Sequence, residues 1–382
     1  MPLRLTPEGR LLMAEDDKFL EPITSEQQDE QESLPVYEII TYPADYTLEV
    51  LVEKWAKKQI TVPTLQRGYV WNQTQASKLI ESFLLGLPVP PVFLYQRRKD
   101  NALLVIDGHQ RLRTIFYFFS GLFGEAKVKG TRPFVLVGLH EKSPYLGETY
   151  QSLKEGNDTA FNRLNNSVLR AFLMRQIDPD DDGSIFQVFE RLNSGGVALN
   201  GQEIRNCLYD GSFNALLKKL NALPDWRSIL GRKRPDARMR DVELILRLLA
   251  LLNDGTNYKH PMKQFLNAFI KAHKELDDGE TQKYTKQFAD TAKAIVKALG
   301  ERPFHIHRGL NAAVCDSVFI SFARHLNDAD GIDKTGMKSH FKKLVADEKY
   351  AEYTTKATTN DEVVPSRINM AEEALFGVTT KK

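Results

Sequence analysis

The sequence predicts an α+β protein in two parts, a mixed strand-and-helix domain over residues 36–206 and an all-helical domain over 207–378. Three observations carry this. In the first part, short apolar runs such as VFLYQ and ALLVI alternate with segments of helical periodicity. Beyond about Asn206, one helix-like segment follows another with no strand-like run between them. The length of 382 residues, with 42% hydrophobic and 27% charged side chains, suits an ordinary globular protein of about two domains.

Residues 1–35 are polar and end in SEQQDEQESLP, the composition of a flexible N-terminal arm. Order begins near Tyr42, and in YTLEVLVEKWAKKQ the spacing of Leu48, Leu51, Val52 and Trp55 marks one apolar helix face with Thr47 as its N-cap. ITVPTLQRGYVWN is extended. In QTQASKLIESFLLGL, Leu79, Ile80, Phe83 and Leu84 repeat at helical spacing and Gly86 is the stop. Pro88, Pro90 and Pro91 then forbid helix, and VFLYQ and ALLVI form a hairpin across the charged turn RRKDN. QRLRTIFYFFSGLFG is a helix ending near Gly121. From Thr131 to Ile177 the chain mixes a strand-like PFVLVGL with loops and a short helix over residues 161–170. SIFQVFERLNSGGVALNGQEIRNCLYDGSFNALLKKL alternates helices with a glycine loop, and the helical segments DVELILRLLALL, MKQFLNAFIKAHKEL, TKQFADTAKAIVKAL and NAAVCDSVFISFARHL follow. No internal repeat is evident, and the terminal VTTKK reads as frayed.

Charge and composition narrow the function classes. The 52 basic and 50 acidic residues leave a net charge of +2, which excludes a histone-like polycation but allows a local basic patch. No apolar run approaches the length of a membrane helix and no signal peptide opens the chain, so a cytoplasmic location is expected. Two cysteines, Cys207 and Cys315, cannot build a disulfide framework or a four-sulfur zinc site, and no HExxH or paired CxxC occurs. His305 and His307 lie beside Pro303 where a helix is expected to open, a structural rather than metal-binding position.

The most informative segment is LLVIDGHQRLRTIFYFF, an apolar strand that runs through Asp107, Gly108, His109, Gln110 and Arg111 directly into an amphipathic helix. The N-terminus of such a helix is an anion site, and a glycine there lets a ligand approach the backbone. Arg111 can grip phosphate as a planar fork. Asp107 could hold magnesium or orient Arg111, and the plain alternative is that it caps the helix.

These residues resemble the GmrSD N-terminal-like family, a branch of the ParB/sulfiredoxin-like fold found in type IV restriction and phage-defence proteins. The family's I/V-D-G-Q-Q-R element stands here as Ile106 to Arg111, with His109 where the family usually has Gln. The Q-R-x-Y-x-W element is matched by Gln66, Arg67, Tyr69 and Trp71, and the spacer LIESFLLGLPVPPVFLY resembles the family's link between the two. A third block, FERLNSGGVALNGQEIRNCLYDG, is similar to the region where ParB-like folds supply a carboxylate and an amide to a nucleotide's metal and phosphates. The resemblance covers about residues 40–210, and more loosely the helical remainder up to Arg367, Ile368, Ala371 and the Leu375-Phe376-Gly377 ending.

The resemblance implies a ParB/sulfiredoxin-like N-terminal domain that binds a nucleoside triphosphate with magnesium. Asp107 and Arg111 would be catalytic, and Asp107 and Glu190 metal ligands. Gln66, Arg67, Gly108, His109, Gln110, Glu190, Asn193, Gly195 and Gly196 would contact the nucleotide, with Arg191 and Ser194 beside them. Arg67 would close over the nucleotide or stack on aromatic surface, and Tyr69 and Trp71 read as core or pocket wall. For the third block the alternative is a glycine turn between helices with Asn193 and Asn200 as caps.

Outside the motifs, GRKRPDARMRD gathers Arg232, Lys233, Arg234, Arg238 and Arg240. Such a run can neutralise nucleic-acid phosphates or form a solvated loop. No D-H-I-x-P-like HNH segment is present, so the chain is not expected to cut DNA unaided; a separate nuclease or effector protein, DNA and oligomerisation are the expected partners. The leading expectation is an NTP-hydrolysing defence protein. The competing ones are a non-catalytic ParB-like module that binds DNA or a partner, and, with less in its favour, a ParB-like kinase.

Overall fold

The computed structural model describes residues 19, 37–62, 69–98, 100–124, 132–178, 183–192, 200–306, 309–326 and 334–378. The chain divides into two compact units, one over Pro35–Cys207 and the other holding Leu208–Lys382 together with Phe19. Both strands and helices are present, an α+β protein. No helix among the described residues is long and apolar enough to cross a membrane.

The first unit is built on a five-stranded mixed sheet. Its strands are β1 (Glu38–Thr47), β2 (Ile60–Thr61), β3 (Val92–Gln96), β4 (Leu103–Asp107) and β7 (Val168–Asp178), in the spatial order β1-β7-β3-β4-β2; the short β5 (Leu122–Phe123) and β6 (Arg132–Pro133) form a separate pair. β1/β7 and β3/β4 are antiparallel, whereas β3/β7 and β2/β4 are parallel. On one face lie α1 (Leu48–Ala56), α2 (Gln73–Leu85), α3 (His109–Ser120) and α5 (Asp158–Asn166), with α4 (Tyr150–Gly156) packed on α5. Leu51, Ile80, Phe83, Leu112 and Ile115 from these helices bury against Leu94, Val105 and Leu173 of the strands. Their strand neighbours Tyr95, Leu104 and Met174 are also buried but point to the opposite face by the period of two, where α6 (Ile185–Leu192) packs against β4. α7 (Gly201–Leu208) follows.

The local signals behave as expected. Thr47 Oγ1 accepts the Val50 N–H at 3.3 Å, and Gly86 and Gly121 end α2 and α3 in the left-handed conformation at φ 75° each. The hairpin of β3 and β4 forms as predicted. Three expectations fail. PFVLVGL is not a strand beyond Pro133, because its polar backbone groups find irregular partners: Phe134 N–H binds Gly121 O, Val137 N–H binds Ser77 Oγ, and the Gln73 amide binds Val135 O. The helix expected over residues 161–170 stops at Asn166, where Ser167 Oγ turns back to Arg163 O, and Val168 begins the eleven-residue strand β7. His305 does not open a helix but bridges Leu310, and the next helix starts at Ala312 under the Asn311 cap.

The second unit is helical throughout its described residues. It comprises α8 (Ser212–Asn221), α9 (Pro224–Leu230), α10 (Arg240–Asp254), α11 (Met262–Ala272), α12 (Asp278–Leu299), α13 (Ala312–Arg324), α14 (Lys334–Ala346), α15 (Glu348–Thr355) and α16 (Val363–Phe376). α13 is buried from Ala312 through Phe322 and packs on α10, α12, α15 and α16, as expected for a helix with apolar and small residues all round. Its one acid, Asp316, is fully buried between two buried arginines: Arg247 donates to Oδ2 at 2.9 Å, and Arg367 to Oδ1 at 2.8 Å and Oδ2 at 2.7 Å.

The expected N-terminal arm lies outside the described residues except for Phe19, which is 5% exposed.

Candidate functional site

β4 delivers Asp107 to the end of the sheet, and Gly108 turns the chain into α3. Gly108 is the N-cap of α3 at φ 91°, ψ 14°, and no side chain caps the helix. The left-handed backbone favours glycine. A Cβ built there would stand 2.5 Å from Val92 Cγ1 and 3.0 Å from Arg111 Nη2. The space that a Gly108 side chain would take is therefore filled by Val92 and Arg111.

Asp107 does not cap the helix either. Its Oδ2 accepts from Arg111 Nη2 at 3.2 Å, and the same nitrogen donates to Pro91 O at 3.0 Å. Asp107 thus orients Arg111, one of the three roles open to it from the sequence. Both Nη2 hydrogens are engaged by protein, and the Arg111 Nε is buried with no partner among the described residues. Nη1 is the remaining donor group of the guanidinium.

Gln110 ties this turn to the upstream motif. Its Oε1 accepts the Val70 N–H at 3.1 Å, which fixes the amide so that Nε2 points to His109 Nε2 at 2.7 Å. An amide nitrogen can only donate, so His109 Nε2 accepts and carries its proton on Nδ1. One turn on, Thr114 Oγ1 donates to Gln110 O at 2.8 Å and, its one hydrogen used, receives the Tyr69 hydroxyl proton at 2.7 Å. Burial pushes the Tyr69 phenol up to about 12, opposed in part by the Thr114 bond. Tyr69 also stands edge-on to Tyr117 at 4.9 Å, and Tyr69 and Trp71 both pack half-buried on the core. Gln66 and Arg67 fall outside the described residues, in a segment bounded by buried Val62 after β2 and by Tyr69 on α3.

The third block is described in part. α6 buries Phe186 and Phe189; the side chains of Glu190 and Arg191 and all of Asn193, Ser194, Gly195 and Gly196 lie outside the described residues. Asn200 caps α7 in a reciprocal box, with Glu203 N–H to Asn200 Oδ1 at 2.9 Å and Asn200 N–H to Glu203 Oε2 at 2.7 Å. Four polar residues of α7, Gln202, Glu203, Arg205 and Asn206, are buried, with Arg205 Nη1 donating to Gln202 Oε1 at 3.3 Å. Sequence reasoning passed over them, although QEIRN within a helix is a dense polar set that burial must satisfy. It also missed the Pro91 carbonyl and the stacked Phe93–Phe172 pair at 5.4 Å, whose Phe93 is paired across the ladder with Asp107. Among the described residues no group of three or more His, Cys, Asp or Glu could hold a metal.

The basic run is organised from within. Asp236 is buried and takes three bonds from Arg240, Nε to Oδ2 at 3.0 Å, Nη2 to Oδ1 at 2.8 Å and the backbone N–H to Oδ2 at 3.0 Å, with Arg232 Nη1 3.7 Å away. Burial alone would raise the Asp236 pKa; the Arg240 hydrogen bonds and the Arg240 and Arg232 charges outweigh it and hold the carboxyl below its ordinary value. Lys233 and Arg234 are exposed, and Arg238 is half-buried with its N–H on Asp236 Oδ2 at 3.2 Å. Asp236, visible in the sequence as the acid interposed in the run, is thus its buried internal counter-charge.

Residues 48–209 match the family model described as GmrSD restriction endonuclease, N-terminal domain. No curated protein matches the chain.

Proposed function

Residues 48–209 belong to the GmrSD N-terminal domain family, and on that premise we propose that the chain binds and hydrolyses a nucleoside triphosphate at the β4–α3 turn, as part of a restriction-type defence system. The observation that carries the reading is the junction of two motif blocks: Gln110 bound to Val70, and Asp107 holding Arg111, at a helix start that no side chain caps. Such a helix end favours anions, and the arginine beside it adds charge-assisted donors. The topology of α6 supports a role for the third block. Ser184 N–H binds Gln176 Oε1 at 2.7 Å, at the end of β7 away from Asp107, and α6 then packs on β4. Its eight residues advance about 12 Å, close to the rise of the four strand residues from Gln176 back to Phe172, at roughly 3.3 Å each, and Phe172 is level with Phe93 and Asp107. The C-terminal end of α6, with Glu190 in its last turn, would then approach the β4–α3 turn.

Asp107 fits magnesium as a single half-exposed carboxylate, because that ion is commonly held by one or two carboxylates and the substrate's phosphates. Magnesium, when bound, would neutralise phosphate charge. Asp107 and Glu190 would hold it, while Arg111 and the helix end steady the phosphoryl oxygens and a carboxylate orients the attacking water. The fold reading that goes with this is ParB/sulfiredoxin-like. A separate nuclease would cut the DNA, and the basic run would contribute nucleic-acid contact through Lys233, Arg234 and Arg238.

One observation favours the second reading, a non-catalytic nucleotide- or DNA-sensing module. Both Nη2 hydrogens of Arg111 already serve Asp107 and Pro91, which leaves no open fork for a phosphate unless Asp107 lets go. Measuring phosphate release from each nucleoside triphosphate with magnesium, with and without DNA, separates the two: turnover lost in Asp107→Asn supports hydrolysis at this turn, and binding without turnover supports the module.

A further inference from the structure

Four strands of the first unit place one residue each in a row across the sheet: Pro43 of β1, Phe172 of β7, Phe93 of β3 and Asp107 of β4. Asp107 joins the row through an irregularity. Leu94 pairs with Val105 and the register shifts before Phe93, so β4 carries one extra residue there and Asp107 rather than Ile106 stands opposite Phe93. Bulges of this kind re-aim side chains beside functional sites. Phe93 and Phe172 lie two residues from Tyr95 and Met174, hence on the same face of the sheet and away from the helix-face core. Tyr95 and Met174 are buried, whereas Phe93 and Phe172 are half-buried. The two phenyl rings are stacked, 22° from parallel with centroids 5.4 Å apart. That separation is close to the spacing of about 4.7–4.9 Å between neighbouring strands, so the stack runs along the row. Pro43 holds its β1 end, and the other face of Phe93 is turned toward β4 and Asp107.

We propose that this stack is the nucleobase platform of the site: the base lies on the face of Phe93 turned to Asp107, Phe172 backs it, and the ribose bridges the one strand spacing to phosphates at the β4–α3 turn. The proposal rests on the reading that a nucleoside triphosphate binds at that turn, and deepens it by naming what holds the base. A cross-strand aromatic pair is fixed by the ladder, so its outer face is presented to a ligand without further ordering. Base–aromatic stacking tolerates any base, because every base has a π-face. The platform therefore accepts purine and pyrimidine triphosphates alike, with the larger purine face held more tightly.

The test is isothermal titration of the full-length chain, with magnesium, against three ligands: non-hydrolysable analogues of adenosine and cytidine triphosphate, and inorganic tripolyphosphate, which has no base. Phe93→Leu keeps an apolar side chain but removes the ring. It should weaken both nucleotides by about tenfold, within the range for losing one stacked aromatic, and leave tripolyphosphate binding unchanged. Phe93→Tyr, which restores a ring, should bind as the parent does, and Arg111→Ala should weaken all three ligands. Should Phe93→Leu melt early, Phe172→Leu leaves Phe93 in place and should weaken the nucleotides by less, again sparing tripolyphosphate. If both leucine variants bind the nucleotides as the parent does, or lose tripolyphosphate equally, while Arg111→Ala weakens all three ligands, the platform is overturned and the phosphate site stands. If the parent binds none of the three, or Arg111→Ala binds them all as the parent does, the nucleotide reading falls and the platform with it.

Discussion

Gln110 Oε1 accepts the Val70 N–H at 3.1 Å, so a residue in the first turn of α3 restrains the chain just downstream of Gln66 and Arg67. Val70 is exposed, and water can replace the lost bond. Gln110→Ala should therefore cost only about 0.5–1.5 kcal/mol of stability while weakening nucleotide binding by about tenfold, the effect of ~1.4 kcal/mol. Gln110→Glu keeps an acceptor for Val70 and should lose less. Thermal melting alongside nucleotide titration checks both, and equal affinity in all three proteins would show that the tether does not matter to the site.

Gly108 and Val92 are coupled by shape. Gly108→Ala adds a Cβ 2.5 Å from Val92 Cγ1 at a backbone φ of 91°. The left-handed backbone costs about 1–2 kcal/mol for a non-glycine residue and the overpacking about 1–3 kcal/mol, so urea unfolding should report a loss of roughly 2–5 kcal/mol. In the Val92→Ala background the overpacking part should fall, because only the 3.0 Å approaches to the residue-92 Cβ and to Arg111 Nη2 remain, and the backbone part should persist. Additive effects would mean that Val92 moves aside at no cost.

The Arg247–Asp316–Arg367 cluster makes a stability prediction for the helical unit. Asp316→Asn removes the one carboxylate between two buried guanidinium groups and should destabilise by about 3–5 kcal/mol, the effect of breaking a buried pair. Denaturant titration followed by Trp226 fluorescence reads it, since Trp226 is fully buried in the same unit. A loss under about 1 kcal/mol would show the cluster to be hydrated or rearranged.

Asp236 sets a pH dependence. Its folded pKa lies below the ordinary value of 3.8, so the unfolded chain binds the proton more readily. The stabilisation is present above about pH 4 and is lost as pH falls through the folded value. Asp236→Asn should flatten the acid limb of the melting temperature below about pH 4. An unchanged acid limb would assign acid sensitivity to other carboxylates.

What was legible in the sequence was local. Leu48, Leu51 and Trp55 announce α1 by spacing, and Gly86 and Gly121 end their helices through a backbone preference that needs no partner. β1 and β7 were missed because each is defined by the other across more than a hundred residues, and β1 is mostly exposed and carries no clean alternation. In β7 the signal was present: Leu169, Ala171 and Leu173 are buried at a period of two, beside a helix that ends only two residues earlier. At the site, the position of Asp107 and Arg111 was legible from the motif, but their mutual ion pair and the filling of the Gly108 space by Val92 depend on where β3 lies. Likewise five cations are visible in the basic run, whereas the burial of Asp236 and of Phe19 is a tertiary fact.

The central claim is that the β4–α3 turn binds a nucleotide through Arg111. Isothermal titration of the full-length chain with a non-hydrolysable nucleoside triphosphate and magnesium, repeated on Arg111→Ala, tests it most directly. Charge-assisted hydrogen bonds are worth about 1.5–3 kcal/mol, so the variant should bind roughly ten- to a hundredfold more weakly while still unfolding cooperatively. Equal affinity in the two proteins, or no heat of binding in the parent with any nucleotide, would contradict it.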